Sequence, residues 1–257
     1  MKIRWISGCV VALCAASLAL AEGREPDALR ASTQILIVTT QDWNGADGRL
    51  QVYERPRVGK RWKAAGDAIP VVVGKNGLGW GAGVATDAAR REAADPIKKE
   101  GDGKSPAGVF RLSTVFGYAA QEPAAWKMPY LNLSPSVECV DDASSKFYNR
   151  VLERATVAPD WSSSEQMLRP DGEYRWGVVV EHNAEPVTPG VGSCIFLHIW
   201  LGPGVGTTGC TAMAQEQLEA LLARLDPART PLLVQLPRPQ YKKLRRQWKL
   251  PGLPRQK

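Results

Sequence analysis

Apolar residues fall in short runs separated by turns rich in Gly, Pro, Asn and Asp, which predicts many short strands and few helices. Thr33–Thr40 (TQILIVTT) carries the run expected of a buried strand. A turn at Asn44–Gly48 follows, and Arg49–Glu54 alternates as a hairpin partner would. Ala68–Gly74, Val109–Leu112, Tyr130–Leu133, Glu138–Val140, Trp176–His182, Cys194–Trp200 and Pro231–Leu236 also read as strands, and Glu100–Gly108 as a long polar turn. Asp87–Ala94 is compatible with a short helix. Ala214–Leu225 is the clearest helix, because Leu218, Leu221, Leu222 and Leu225 form one apolar stripe and Asp226-Pro227 stops it. The fold class expected is mainly β with short helices and no internal repeat.

The two ends differ from this body. Lys2 and Arg4 precede a mostly apolar stretch, Trp5–Leu20, and Ala19-Leu20-Ala21 fits a small-x-small cleavage site, so residues 1–21 read as an export signal. The stretch is short for a permanent span. Ile6-Ser7-Gly8-Cys9 lacks the preceding apolar run that lipidation needs. Residues 22–32 read as a short linker, 33–236 as one domain and 237–257 as a basic tail. The net charge is +7, yet Arg238, Lys242, Lys243, Arg245, Arg246, Lys249, Arg255 and Lys257 put eight cations and no acid after Leu236. The body between signal and tail is therefore slightly acidic. Export argues against nucleic acid as a partner. The tail suits an anionic membrane or wall polymer, or serves only to keep the chain soluble. A monomer in the periplasm or cell wall is expected.

Thr207-Thr208-Gly209-Cys210 lies just after His198, one of only two histidines. This pattern suits a cysteine nucleophile: His198 takes the thiol proton, and the helix expected after Cys210 stabilises the anion. The bland alternative is a buried cysteine acting as a small apolar filler. Cys9 and Cys14 leave with the signal. Of the remaining three, Cys139 pairs with Cys194 if Cys210 is to stay free. Three reduced thiols, or a silencing Cys194–Cys210 pair, are the competing arrangements. His182 reads as structural, and Asp141-Asp142 as a turn or cap, because adjacent extended residues face opposite ways. Tyr130 and Trp176 suit the core as well as a substrate platform, and Thr207 a plain turn as well as a cleft hydrogen bond. Gly204-Val205-Gly206-Thr207-Thr208-Gly209 matches a dinucleotide loop, but Asp226 precedes the next strand rather than ending it, and too little chain follows.

Phe196-Leu197-His198 followed by Thr207-Thr208-Gly209-Cys210-Thr211-Ala212-Met213 resembles the active-site segment of the L,D-transpeptidase catalytic domain family, the YkuD type. Gly101–Phe110 resembles that family's Thr-Pro-x-Gly-x-Phe segment, and Met128-Pro129-Tyr130 its substrate-facing strand. The resemblance spans roughly Thr33 to Leu236. It implies a β-sandwich or open barrel with the nucleophile just before a helix. It also implies acyl transfer on peptidoglycan stem peptides through a Cys210 thioester, with His198 as general base and acid and Gly209 in the oxyanion site. Tyr130, Thr207 and Thr208 would lie along the substrate, and neither metal nor cofactor is required. A backbone carbonyl is expected to orient the imidazole. Thr208 stands where the family usually has a second histidine, and Ala212 where it usually has arginine or asparagine. Hydrolysis by an L,D-carboxypeptidase or amidase, and wall binding without catalysis, are the alternative outcomes.

Overall fold

The computed structural model describes residues 25–85 and 91–254. Strand β1 (Gln34–Thr40) is buried at all seven positions, as its apolar run requires. It pairs antiparallel with β2 (Asp47–Glu54) across the expected turn, and parallel with the last strand, β14 (Leu232–Pro237). From β14 the hydrogen-bonded path runs through β6 (Ser105–Gly117), β11 (Trp176–Val180), β12 (Phe196–Ile199), β13 (Thr211–Met213) and β4 (Ile69–Val72) back to β2. These eight strands thus form a closed ring with no open edge. Short β3 (Lys63–Ala64) extends β2, while β5 (Leu78–Trp80) and β7 (Tyr130–Asn132) pair with β6. The ring is thinnest between β13 and β4, which share the single pair Ala212–Val72.

A second, smaller sheet lies outside the ring. Strand β8 (Val137–Val140) sits between β9 (Val151–Glu153) and β10 (Ser164–Gln166). Its centre is polar: the buried Glu138 carboxylate accepts from Arg154 Nη1, Trp161 Nε1, Ser164 Oγ and Gln166 Nε2. An apolar cluster joins this unit to the ring, with Val137, Cys139, Met167 and Tyr174 packed against Phe116, Phe196, Cys194 and Cys210. The Cys139 and Cys194 sulfurs are 2.03 Å apart, which is bonding distance, and Cys210 is free.

The mainly β class and the main strands agree with the sequence reading, and the helix expected at Ala214–Leu225 is α2 (Gln215–Arg224). Four readings need correction. First, β6 begins at Ser105, inside the stretch read as a polar turn, because β5 pairs with Ser105–Ala107 and Gln235 Nε2 donates to the Pro106 carbonyl. Second, the segment read as a linker contains α1 (Asp27–Ala31), and the buried Arg55 guanidinium donates to the carbonyls of Leu29, Arg30 and Ser32. Third, the segment read as a basic tail starts with α3 (Arg238–Leu244) and buries Tyr241, Leu244, Trp248 and Leu250 in the main core. Tyr241, Leu244 and Trp248 recur at helical spacing, so one face goes inward while the cations stay outside. Fourth, residues 91–94 of the helix expected over Asp87–Ala94 lie in irregular and turn structure; the rest of that expected helix lies outside the described residues. The export signal, residues 1–21, also lies outside them. No helix among the described residues is long and apolar enough to cross a membrane.

Candidate active site

Parallel strands β12 and β13 bring His198 and Cys210 together. Leu197 stands opposite Thr211 and His198 opposite Ala212, which places Cys210 level with Phe196. The Phe196 N–H points at the Cys210 sulfur at 3.3 Å, and the thiol donates to the Cys194 carbonyl at 3.4 Å. Phe196 and His198, two residues apart, share a strand face. Both rings meet Tyr174 edge-on, with centroids 5.5 and 5.2 Å from it. Tyr174 lies in the apolar cluster that contains Cys210, so one aromatic ring bridges the neighbourhoods of the thiol and the imidazole. The Tyr174 hydroxyl donates to Glu165 Oε2 at 2.8 Å.

His198 Nδ1 lies 2.7 Å from the Ile199 carbonyl oxygen. A carbonyl only accepts, so Nδ1 carries the proton and Nε2 keeps its lone pair. Ile199 is thus the carbonyl partner expected for the imidazole, and Glu173 Oε2 stands 3.6 Å from the same nitrogen. His198 is 3 % exposed. Burial holds its pKa down at about 4; the Ile199 bond opposes this and the Arg169 charge adds to it. Cys210 is 5 % exposed, and burial pushes its thiol well above the usual range. At neutral pH the resting pair is therefore neutral thiol and neutral imidazole. The expected source of anion stabilisation needs correction: β13 separates Cys210 from α2, so the thiol is not at a helix N-terminus. Among the described residues no hydrogen bond joins His198 to Cys210 in this state.

The turn before the nucleophile is built from side chains. Thr207 Oγ1 donates to the Cys210 carbonyl at 2.6 Å and accepts from the Gly209 N–H at 3.1 Å. Ser105 Oγ donates to the same carbonyl at 2.7 Å while accepting from the Gly74 N–H. Thr207 is therefore a structural turn residue, and the Gly209 N–H is already engaged rather than open to an oxyanion. The Cys210 N–H has no partner among the described residues. Thr208 is exposed and makes no side-chain hydrogen bond to them. Tyr130 donates to the Ala119 carbonyl and tilts against Trp176, and none of its hydrogen bonds or ring contacts involves Cys210 or His198. Trp176 in turn donates to Glu219 of α2. Ala212 is fully buried between the His198 and Val72 positions.

His182 and Asp142 behave as read. His182 is buried against Phe110, with Nε2 3.1 Å from the Val191 carbonyl and its pKa lowered to about 4, chiefly by burial. Asp142 accepts from the backbone and hydroxyl groups of Ser144 and Ser162, as a turn staple would. The Gly204–Gly209 loop leads into β13 rather than a helix, which leaves no helix N-terminus for a pyrophosphate. Among the described residues no group of His, Cys, Asp and Glu is placed to hold a metal ion. The sequence reading missed Ser105, Tyr174, Glu165 and Glu173. Only topology brings them to the site, although Tyr174 beside the strand at Trp176 was a visible aromatic.

The fold and the site define a closed β-barrel with an oriented neutral histidine on one strand and a buried cysteine just before that strand's parallel neighbour. The model of the YkuD family, the L,D-transpeptidase catalytic domain, matches residues 41–234, and the chain belongs to that family. No curated protein and no solved structure matches it.

Proposed function

We propose that this chain is an exported L,D-transpeptidase that acts on peptidoglycan stem peptides through a Cys210 thioester. The observation that carries the reading is the His198 tautomer: with Nδ1–H held by Ile199, Nε2 is a free base on the strand beside the nucleophile. The thiol sulfur attacks the carbonyl carbon of an L,D peptide bond as Nε2 takes the thiol proton. The Cys210 N–H, which has no partner among the described residues, donates to the oxyanion. The C–N bond then breaks, His198 returns the proton to the leaving amine, and an acceptor amine resolves the thioester. Because both groups rest neutral, proton transfer accompanies attack rather than preceding it. The export reading rests on residues 1–21, and contact with an anionic wall or membrane on the cations of the C-terminal segment.

The test is incubation of purified protein with disaccharide tetrapeptide, read by mass spectrometry. Cross-linked dimer is expected, and Cys210→Ala should abolish it while leaving the circular dichroism spectrum unchanged. Tripeptide with free D-alanine would replace transfer by hydrolysis. No change with the wild type, or wild-type turnover in Cys210→Ala, would sink the mechanism.

A further inference from the structure

Burial disfavours both ionic forms of the reactive pair. His198 has its pKa held at about 4, and the Cys210 thiol is pushed up. Acyl transfer nevertheless puts a proton, and with it a full positive charge, on the imidazole. In a site closed to water that charge needs a partner. Among the described residues, Glu173 alone makes an ion-pair contact with this ring, with Oε2 3.6 Å from Nδ1. The backbone fixes its place. The Ile199 N–H donates to the Glu173 carbonyl at 3.1 Å, and the Ile199 carbonyl is the acceptor that orients the imidazole. Glu173 Oε1 also faces Arg169 Nη2, at 3.8 Å. That guanidinium is engaged first by Asp171, at 2.5 and 3.1 Å, which leaves much of the Glu173 charge for the ring. Burial lifts the Glu173 pKa, while Arg169 favours its ionised form and Asp171 opposes it.

We propose that Glu173 is a positioning residue for His198 that supports the imidazolium form, the state acyl transfer requires. The inference rests on the proposed activity for the path of the proton, while the Glu173–His198 contact stands without it. As Sγ bonds to the acyl carbon, the thiol proton moves to Nε2 and the carbonyl electron pair becomes the oxyanion. Before that step the carboxylate meets only the dipole of a neutral ring. After it the two carry opposite unit charges, so the attraction grows as the barrier is climbed. Tyr174 lies edge-on to the ring at 5.2 Å. Of the other charges near the ring, Arg169 opposes the imidazolium and Asp171 favours it. Glu173 also disfavours a thiolate at Cys210, behind burial and Glu165, so its help comes with proton transfer and not before it.

The experiment compares acylation of Cys210 by a carbapenem in the wild type, Glu173→Gln, His198→Ala and the double variant, read by intact mass. Glu173→Gln should lower the maximal rate about tenfold or more and leave the half-saturating carbapenem concentration unchanged. In the His198→Ala background the same substitution should change nothing. Equal slowing in both backgrounds would mark a purely structural role and overturn the proposal, as would no slowing in either. The imidazole signals of the two histidines, followed by NMR against pH, give a readout that needs no turnover. His198 should titrate about half a unit lower or more in Glu173→Gln, and higher by a similar shift in Arg169→Gln, while His182 stays in place. The opposite signs separate charge from damage, and Arg169→Gln keeps the test open if Glu173→Gln fails to fold. A His198 titration that neither variant moves sinks the proposal. A wild-type chain that shows both shifts but forms no Cys210 adduct keeps the Glu173 support of the imidazolium and sinks the proposed chemistry.

Discussion

The closed ring and the three-stranded sheet beside it are both β-structure, yet they are held by opposite means. The ring is packed by apolar side chains, and its strands β1 and β14 are buried at every position. The small sheet is organised around one buried carboxylate, and is joined to the ring by the Cys139–Cys194 pair and the apolar cluster around it. A core of many interchangeable dispersion contacts loses a little stability with each change. A hub with few partners concentrates its stability in a few named groups. Cys210 lies where the two regimes meet, so ring geometry positions the nucleophile while the small sheet covers it.

Removing the link between the regions should have the largest effect on stability. Cys139→Ser with Cys194→Ser frees a connection 55 residues apart in sequence, which chain entropy values at about 4 kcal/mol. Hydrogen exchange should quicken first in β8–β10 and leave β1 and β14 protected. Equal quickening in both would erase the distinction. Within the ring, Leu36→Ala removes a fully buried side chain and should cost about 3 kcal/mol in chemical denaturation, with a single cooperative transition. A variant that unfolds in two steps would show that the ring is not one unit.

At the junction, His198→Ala should slow carbapenem acylation about a hundredfold. In the wild type, the same rate should fall on acidification through about pH 4 rather than 6.5, because protonated imidazole cannot accept the thiol proton. An acid limb near 6.5 would contradict the burial argument. Glu138→Gln should cost less, about 1–2 kcal/mol, and only in the small sheet. Burial raises the Glu138 pKa, but Ser164, Trp161 and Arg154 together pull it below the usual value. Its contribution is therefore present above about pH 4.5 and lost as pH falls further. Acid should loosen β8–β10 before the ring, as exchange at about pH 3 against about pH 6 would show.

The same contrast explains what could be read from sequence. Strand β1 needed no periodicity to be found: the unbroken apolar run from Ile35 to Val38 announces a strand whatever surrounds it. Strands β9 and β10 (VLE and SEQ) carry no such run, and their pairing with β8 depends on Glu138 meeting donors from 16 to 28 residues further along the chain. The segment after Leu236 misled through composition, since its many cations masked Tyr241, Leu244 and Trp248 at helical spacing. At the site, Cys210 and His198 were legible because their motif is local. Ser105 was not: it reaches the Cys210 carbonyl from 105 residues earlier in the chain, and nothing near it in sequence marks that contact.

The pairing of β1 with β14 also sets a timetable. Ile35 lies beside Leu232, so one side of the first ring strand stays unfilled until Leu232 and its neighbours, almost 200 residues further on, have been made. At a synthesis rate of about 5–20 residues per second, that wait is on the order of 10–40 s. Throughout it, the nascent chain exposes an apolar strand with one row of amides and carbonyls unsatisfied. Such a chain remains pliable while it is being made, and is a natural client for a holding chaperone until its last strand arrives.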